Sequence, residues 1–489
     1  MSVYYIQESL LNSFCSNFSN LNNKPFPFNC IDKVKSMSNI YSDSSLVEAK
    51  DIGSYVNSSF SSVCYWFFQS NKNIKKVYLP SCETIEPQAF QNCINLEQIL
   101  IPECTKIPDS CFLNCTMLKS ISAPKCKYIQ LDAFEGCVNL SEVNFPDCSQ
   151  INSIRYGVTA SMFLRKISAG CSRIDQSCFD NNFQFLEFVD FPSCSYVENN
   201  AFHSCFNLKY VNIPNCQCIS NSAFGQCSSL QEINLPNCTN IGSSAFACCI
   251  NLSRISIPVC VSFGNSAFQR CNFSKFNLEN IQTIGDSTFA ECYQLESVTL
   301  GSNTVLGAGV FKNCSMLTEI NTENIQSIGP GCFLSCLSLE SINVLNCNSI
   351  GAYCFKNCIN LKSINLPLVT SIPLSCFYNC IKLSIVSVPN CSVVGSYAFY
   401  SCSSLSVVSL PVCSYISSYA FARMPSLTSI YLLSTSLVTL IDSNVFFRTP
   451  FTTSLYTGSY GSIYVPLSML EDYKTANVWS YYSERLVGM

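Results

Sequence analysis

The chain has 489 residues, more than one hydrophobic core usually organises, so several domains or a repeat array are expected. Hydrophobic residues make up 48% of the chain and charged residues only 12%, with a net charge of −4. Because no basic block is available to neutralise phosphates, we expect no nucleic-acid partner. The sequence also has no apolar run of about 18 residues, so no membrane span is expected.

The N-terminal residues lack the charged segment and apolar run of a secretory signal peptide. We therefore expect a cytoplasmic or virion-associated protein, with surface display by another route left open. His203 is the only histidine, which excludes most Ser–His, Cys–His and His–metal arrangements. No cofactor and no metal are expected, and the oligomeric state stays open.

Residues 1–60 are expected to form a helical or capping region. Apolar residues at helical spacing are followed by a proline: Leu10, Leu11, Phe14 and Phe18, then Pro25. The stretch resembles a leader found in tail-associated proteins of Firmicutes phages. That resemblance implies a phage or prophage tail-associated host-binding protein, which is kept as an alternative function.

A phenylalanine recurs about every 22 residues over residues 61–432, as at Phe90, Phe112 and Phe134. One coil reads L-x-x-I-x-L-P-x-C-x-x-I-x-x-x-A-F-x-x-C-x-x. The I-x-L alternation predicts a short strand with these two side chains inward, and the proline ends it. The S-x-A-F-x-x-C segment is too short for a full helix and predicts one helical or 3₁₀ turn. About 17 such coils, roughly one for each phenylalanine of the series, should stack on a shared apolar core.

The motif L-x-x-I-x-L-P-x-C-x-x-I resembles leucine-rich repeats, and its A-F-x-x-C-x-x-L continuation is similar to the BspA-type subclass. The resemblance implies an α/β repeat fold: a curved leucine-rich-repeat solenoid with parallel strands on its concave face and short helical or 3₁₀ turns on its convex face. Members of this class commonly serve as surface adhesins or interaction modules.

Most of the 35 cysteines follow the repeat. The first cysteine series follows the strand, where an inward thiol could bond the backbone of the neighbouring coil and form a structural ladder. Its members are Cys82, Cys104, Cys126, Cys148, Cys171, Cys194, Cys216, Cys238, Cys260, Cys347, Cys391 and Cys413. The second cysteine series lies three residues after the phenylalanine, as at Cys93 and Cys115, and should pack as a small hydrophobe.

Further cysteines replace the alanine before the phenylalanine, as at Cys111. Together with Cys115 this makes a C-x-x-x-C pair, so metal binding and disulfides between stacked coils are the alternatives to a reduced structural role. The reduced structural role is favoured, because alanine serves equally well at that position and parallel side chains rarely meet the disulfide geometry.

The outward strand positions are the expected binding surface, and most of them are small and polar. One candidate ligand site has aromatic and charged groups on consecutive coils: Phe188, Asp190, Tyr210, Asn212, Glu232 and Arg254. Ile385 and Val407, with Tyr431, form an apolar edge near the C-terminal end of the array. Isolated exposed aromatic residues are also ordinary on protein surfaces, so the competing interpretation is that these residues bind nothing.

Residues 433–489 are expected to form a C-terminal cap. Pro466 and Ser468 can begin a helix, Leu470 and Tyr473 would face the last coil, and Trp479 would cover its open end. The segment GSIYVPLSMLEDYKTANVWSYYSERL resembles the tail that often closes bacterial BspA-type arrays.

The leading functional prediction is a protein- or glycan-binding interaction or adhesion module that uses the concave face. An enzyme is disfavoured, because a catalytic site needs a poised pair of groups in a pocket, and nearly every cysteine belongs to a repeat series.

Overall fold

The computed structural model describes residues 61–63, 65–130, 132–149, 164–179, 183–301, 305–452 and 460–489, together with the backbone of three N-terminal strands. Two of these strands, Tyr4–Tyr5 and Ile31–Asp32, pair antiparallel with each other. The helix predicted through Leu10 and Phe18 lies outside the described residues. The chain divides into two compact units, residues 1–238 with 255–257, and residues 239–254 with 258–489.

Eight long strands of the first unit form one parallel sheet. Neighbouring strands pair at a register of one repeat, as Val77 with Ile99 and Ile99 with Ile121. The sheet consists of Ser54–Val56, Lys76–Tyr78, Gln98–Leu100, Ser120–Ser122, Glu142–Phe145, Lys166–Ala169, Phe188–Asp190 and Tyr210–Asn212.

Later coils repeat this strand at the same position of the motif. These strands are Glu232–Asn234, Arg254–Ser256, Lys275–Leu278, Ser297–Leu300, Glu319–Ile320, Ser363–Asn365, Ile385–Ser387, Val407–Ser409, Ser429–Tyr431 and Ser462–Val465. The central residue points inward, as the alternation predicts, while its two neighbours face outward. We call this outward surface the strand face.

A second, two-residue strand follows most of the long strands among the described residues and also pairs in parallel with its counterparts. In the first unit these strands are Ser62–Val63, Thr84–Ile85, Lys106–Ile107, Tyr128–Ile129, Arg173–Ile174, Tyr196–Val197 and Cys218–Ile219. In the second unit they are Asn240–Ile241, Ser262–Phe263, Thr283–Ile284, Val305–Leu306, Ser327–Ile328, Ser349–Ile350, Ser371–Ile372, Val393–Val394, Tyr415–Ile416 and Thr439–Leu440.

The recurring phenylalanines stack as a buried column within each unit. In the first unit the ring centroids of Phe90 and Phe112 lie 5.2 Å apart and nearly parallel. In the second unit Phe355 and Phe377 lie 5.5 Å apart at an interplanar angle of 1°. The column continues past residue 432, because Phe446 stacks on Phe421 at 5.8 Å. Each ring therefore buries both faces against the adjacent coils, which no single coil could achieve.

The segment around each phenylalanine differs from the expected helical or 3₁₀ turn. Alternate amides do form bonds to the residue three back, as Gln91 N–H to Gln88 O. The intervening amides instead donate to the adjacent coil, as Phe90 N–H to Cys111 O. Gln88 and Asn92 adopt positive φ of 60° and 59°, which interrupts any helix. The described coils therefore have consecutive β-turns here, and we call their outer surface the turn face.

The C-terminal segment packs on the last coil through three buried aromatic side chains. It contains the 3₁₀ helix Leu467–Met469, the α-helix Leu470–Thr475, the 3₁₀ helix Trp479–Arg485 and the strand Leu486–Gly488. The indole N–H of Trp479 donates to Val438 O at 2.6 Å, and the hydroxyl of Tyr482 donates to Ser443 O at 2.6 Å. The strand Leu486–Gly488 then pairs in parallel with Ser462–Val465.

Candidate binding surface

Two aromatic side chains lie next to each other on the strand face of the first unit. Phe188 and Tyr210 are register partners on adjacent strands, and their ring centroids are 6.4 Å apart at 48°. Phe188 is 36% exposed and Tyr210 is 61% exposed. Large aromatic groups are normally buried, so an exposed adjacent pair is available to contact a ligand.

Polar side chains hold Asp190 beside this aromatic pair. The side-chain amide of Asn212 donates to Asp190 Oδ1 at 2.8 Å, and the hydroxyl of Ser168 donates to Oδ2 at 3.1 Å. Because the two carboxylate oxygens each accept a bond from a different coil, the orientation of Asp190 is fixed. The structure thus brings together four of the six predicted site residues.

The other two predicted residues are also exposed on strands of their own. Glu232 begins the strand Glu232–Asn234 of the first unit. Arg254 belongs to the second unit. At the predicted apolar edge, Ile385 is 64% exposed and Val407 is 48% exposed, whereas Tyr431 is half-buried and stacks on Tyr464 at 4.5 Å.

A groove of about 260 Å³ lies on the same strand face and extends from Phe188 toward the N-terminal coils. Its outward-facing lining is mostly polar: Gln98, Leu100, Ser120, Ser122, Glu142, Asn144, Lys166, Ser168 and Phe188. The inward-pointing Ile99, Ile121, Val143 and Ile167 form its floor. Sequence reasoning identified Phe188 but not the groove, because half-burial of small outward residues has no signature in residue type.

Charged groups along the groove and beside it are paired between coils. Lys166 Nζ lies 3.3 Å from Glu142 Oε1 within the groove. Beside it, Glu187 accepts bonds from Lys209 at 3.1 Å and Arg165 at 3.0 Å. The hydrogen bond from Lys209 is the main cause that holds the pKa of Glu187 below its usual value. The groove therefore contains one positive and one negative side chain, which are paired with each other, and it has an aromatic residue at one end.

The first cysteine series bonds mainly within its own coil, which corrects the expected bond to the neighbouring coil. Cys82 Sγ donates to Thr84 O at 3.2 Å and Cys104 Sγ to Lys106 O at 3.1 Å. Cys260 is intermediate, with bonds to both Ser262 O and Thr239 O. The thiol therefore satisfies the carbonyl of the short strand two residues ahead.

The second cysteine series provides the bonds between coils. Cys115 Sγ donates to Phe90 O at 3.0 Å, and Cys336 Sγ donates to Phe311 O at 3.2 Å. Phe90 O already accepts the amide of Cys93, so the thiol from the next coil uses its second lone pair. This series is thus a buried hydrogen-bond ladder as well as a small hydrophobic column.

None of the cysteines among the described residues is in a disulfide. Burial raises the pKa of Cys104 to about 11 and that of Cys292 to about 12. A raised pKa disfavours the thiolate, which is both the metal ligand and the nucleophile. In the part of the chain that the structure describes, no group of three or more Cys, His, Asp or Glu side chains is arranged to hold a metal ion.

The single histidine contacts a serine. Ser204 Oγ lies 3.0 Å from His203 Nδ1 and 3.3 Å from Gln226 Oε1, and Ser204 is only 4% exposed. Its backbone is in a turn with φ of 63°. A nucleophile must reach a substrate, and this hydroxyl is enclosed by its own turn and the next coil. The contact therefore satisfies the buried hydroxyl of Ser204.

None of the helices among the described residues has both the length and the apolar character that a membrane span needs.

A family profile agrees with this architecture. The BspA type Leucine rich repeat region matches residues 39–162, 161–272, 239–348 and 326–453. The chain belongs to the BspA-type leucine-rich-repeat family. The predicted fold class, a leucine-rich-repeat solenoid, is confirmed. Such repeat arrays generally serve as binding or adhesion modules. No curated protein matches the chain.

Several solved structures are similar to this BspA-type chain. A leucine-rich repeat protein from Bacteroides ovatus is 25% identical, with 75% of this chain and 83% of that chain covered and a TM-score of 0.45. A leucine rich cell surface protein from Faecalibacterium prausnitzii is 18% identical, covering 75% and 82%, with a TM-score of 0.32. The pneumococcal vaccine antigen PcpA is 16% identical, covering 67% and 83%, with a TM-score of 0.38.

Proposed function

We propose that this BspA-type protein is a protein- or glycan-binding module that receives its ligand on the strand face of the first unit. The observation that carries the proposal is the groove that ends at Phe188, together with the exposed ring of Tyr210 beside it. A polar groove with an aromatic end can orient a ligand by hydrogen bonds while the rings supply apolar contact.

The groove fits an extended ligand that crosses several coils. Its lining comes from five adjacent strands, from Gln98–Leu100 to Phe188–Asp190. Its serine, asparagine and glutamine side chains can each donate and accept hydrogen bonds, and its charged groups Glu142 and Lys166 compensate each other as an ion pair. Such a surface suits an oligosaccharide or a polar peptide segment, because the polar side chains that line it can form hydrogen bonds with either ligand.

A screen of glycans and of cell-surface proteins tests the proposal. The purified chain is applied to both, and the affinity of any ligand is then measured for Phe188→Ala and Tyr210→Ala. Loss of one buried aromatic contact weakens binding by about 1–2 kcal/mol or more, which is roughly tenfold in Kd. Phe188→Ala and Tyr210→Ala should each have this effect.

The matched control is Tyr128→Ala. Tyr128 is 49% exposed and also lies in the first unit, but it begins a short strand outside the strand face. Its replacement should leave the affinity unchanged. Equal loss in Tyr128→Ala and Tyr210→Ala, or no loss in any of the strand-face variants, would contradict the proposed surface.

A further inference from the structure

A cluster of tyrosines covers the turn face of the second unit between residues 353 and 448. Tyr378 stacks on Tyr400 at 4.9 Å, and Tyr397 stacks on Tyr419 at 5.1 Å. Tyr397 also contacts Tyr400 at 5.6 Å, so the two stacks form one surface. We call these four residues with Tyr353 the tyrosine patch; Tyr353 is exposed and the others are half-buried.

Basic side chains lie over the rings of this patch. Lys356 Nζ is 4.8 Å from the ring centroid of Tyr378 and 5.5 Å from that of Tyr353. The guanidinium of Arg423 is 5.6 Å from the ring of Tyr400. Beside the patch, Arg448 lies 5.4 Å from the ring of Phe447. Aromatic faces attract cations, so the rings hold positive charge at the surface.

These three cations differ from the basic residues that pair with carboxylates elsewhere in the described part of the chain. Lys119, Arg270 and Lys362, for example, form ion pairs with glutamates at 2.8, 2.7 and 2.6 Å. No carboxylate among the described residues pairs with Lys356, Arg423 or Arg448. The patch is therefore complementary to a negatively charged partner.

Three of the five tyrosines occupy backbone positions that do not favour them. Tyr353, Tyr397 and Tyr419 have φ of 61°, 57° and 57°, where bulky side chains are uncommon. The equivalent turn position in other coils is held by Ser244, Ser266, Gly331 and similar residues. The turn itself thus requires no tyrosine, and a strained position kept for a large ring indicates a role outside folding.

We propose that the tyrosine patch, with Lys356 and Arg423, is a second binding surface, specific for acidic polysaccharides. Because the rings stack on each other, their faces are largely occupied, and the edges and hydroxyls are left for a partner. Nucleic-acid bases need free ring faces for stacking, whereas sugar hydroxyls can bond phenolic edges. The hydroxyls of Tyr353, Tyr378 and Tyr400 have no hydrogen-bond partner among the described residues.

The spacing of the patch also suits a polymer. Successive coils present a ring at 4.9–5.1 Å intervals, close to the length of one sugar unit in an extended chain. A polysaccharide with a carboxylate or sulfate on each repeat could therefore contact several coils with the same geometry. Many weak contacts of one kind then add up to useful affinity.

The test measures binding of the full chain to polygalacturonate and heparin, with neutral dextran and polyglutamate as comparison polymers. Polygalacturonate, heparin or both should bind more tightly than either comparison polymer, and binding should weaken as salt is added. The double variant Tyr397→Ser, Tyr419→Ser introduces the residue that other coils use, so the turn should persist. It should weaken binding roughly tenfold, because two of the aromatic rings that form the contact surface are lost.

Arg423→Gln and Arg270→Gln form a matched pair. Both arginines lie two residues after the column phenylalanine with positive φ, of 55° and 61°, but Arg270 is paired with Glu291. Only Arg423→Gln should weaken binding, and it should also make the affinity less dependent on salt concentration. The proposal is overturned if neither acidic polysaccharide binds, or if Arg270→Gln has an equal effect. It is also overturned if polyglutamate binds as tightly and the tyrosine variant changes nothing, since that would indicate a simple cationic surface for acidic polypeptide.

Discussion

At the scale of single residues, thiols link the coils through hydrogen bonds to main-chain carbonyls. Cys292 Sγ donates to Phe268 O at 3.2 Å and is fully buried. A thiol is a weak donor, yet it is small enough to be buried like a hydrophobic side chain and can still donate a hydrogen bond to the carbonyl. The repetition of this bond across the coils makes protonation of the thiols a condition of stability.

Alkaline pH should therefore destabilise the protein. Burial raises the pKa of Cys292 from 9.0 to about 12, so above pH 9 the unfolded chain binds fewer protons than the folded one. The contribution is complete below pH 9 and is lost as the pH rises toward about 12, by up to about 1.4 kcal/mol per pH unit for each such thiol. Urea denaturation midpoints under reducing conditions between pH 7.5 and 10.5 measure this loss.

The variant Cys292→Ala separates the contribution of one thiol from that of Tyr473 and Tyr482, whose pKa values burial also raises. At pH 7.5 it should be less stable than the natural sequence by about 1–2 kcal/mol, from the lost bond and the small cavity. That difference should narrow above pH 9, because the variant no longer has the thiol to deprotonate. A difference that stays constant up to pH 10.5 would contradict the role assigned to the proton.

The cysteine positions were predictable from sequence, but their bonds were not. The 22-residue period places Cys93 and Cys115 in one column, and a side-chain column is all that a period can establish. The direction of the thiol depends on the backbone of the turn, where Asn92 and Asn114 have φ of 59° and 60°. Other coils have Gln226, Glu291 or Arg423 at that position, so residue type does not reveal the left-handed conformation.

At the scale of the structural element, the turn between the short strand and the phenylalanine is the feature that sequence reasoning described least well. A helical or 3₁₀ turn satisfies its own amides, whereas these turns give every second amide to the next coil. The long strands were predictable because the alternation of apolar and polar residues has a direct signature in the sequence, whereas the two-residue strands are too short to show one. The groove and the tyrosine patch were not predictable, because both depend on which side chains from different coils become neighbours.

Two glycines of one turn should respond differently to alanine. Gly331 has φ of +59°, but a Cβ there would meet nothing closer than Leu334 at 3.8 Å. Gly331→Ala should cost about 1 kcal/mol from the left-handed backbone alone. At Gly329 a Cβ would lie 2.6 Å from the carbonyl group of Gly307 on the preceding coil, so Gly329→Ala should cost about 2–3 kcal/mol by separating coils.

Denaturation midpoints of the two variants check this order. The natural sequence and the exposed substitution Lys312→Ala serve as references for the same region. If Gly331→Ala proved as costly as Gly329→Ala, backbone conformation would dominate over the close approach of coils. The expected order instead indicates that contact between neighbouring backbones limits the sequence at this position.

At the scale of the whole molecule, a repeat array has contacts mainly between neighbouring coils, so its stability is the sum of coil and interface terms. The last coil of the second unit is protected by Trp479, which is 2% exposed and lies 6.4 Å from Phe446, the last ring of the column. Without this cover the terminal ring and the adjacent backbone would meet water. A loss of stability at this end should therefore affect the neighbouring coils as well, and the effect should become smaller with each coil.

Hydrogen exchange of the variant Trp479→Ala tests this decline. Removing a buried tryptophan costs about 3–5 kcal/mol, and here it also leaves Val438 O without its 2.6 Å bond. Amides in Ser429–Tyr431 should exchange much faster, those in Val407–Ser409 moderately faster, and those in Ser297–Leu300 at an unchanged rate. Tyr481→Ala, at a 61% exposed neighbour, should alter none of them. Equal acceleration of all three strands would mean that the second unit opens as one cooperative body, whereas a graded response would establish that the C-terminal segment stabilises the coils one interface at a time.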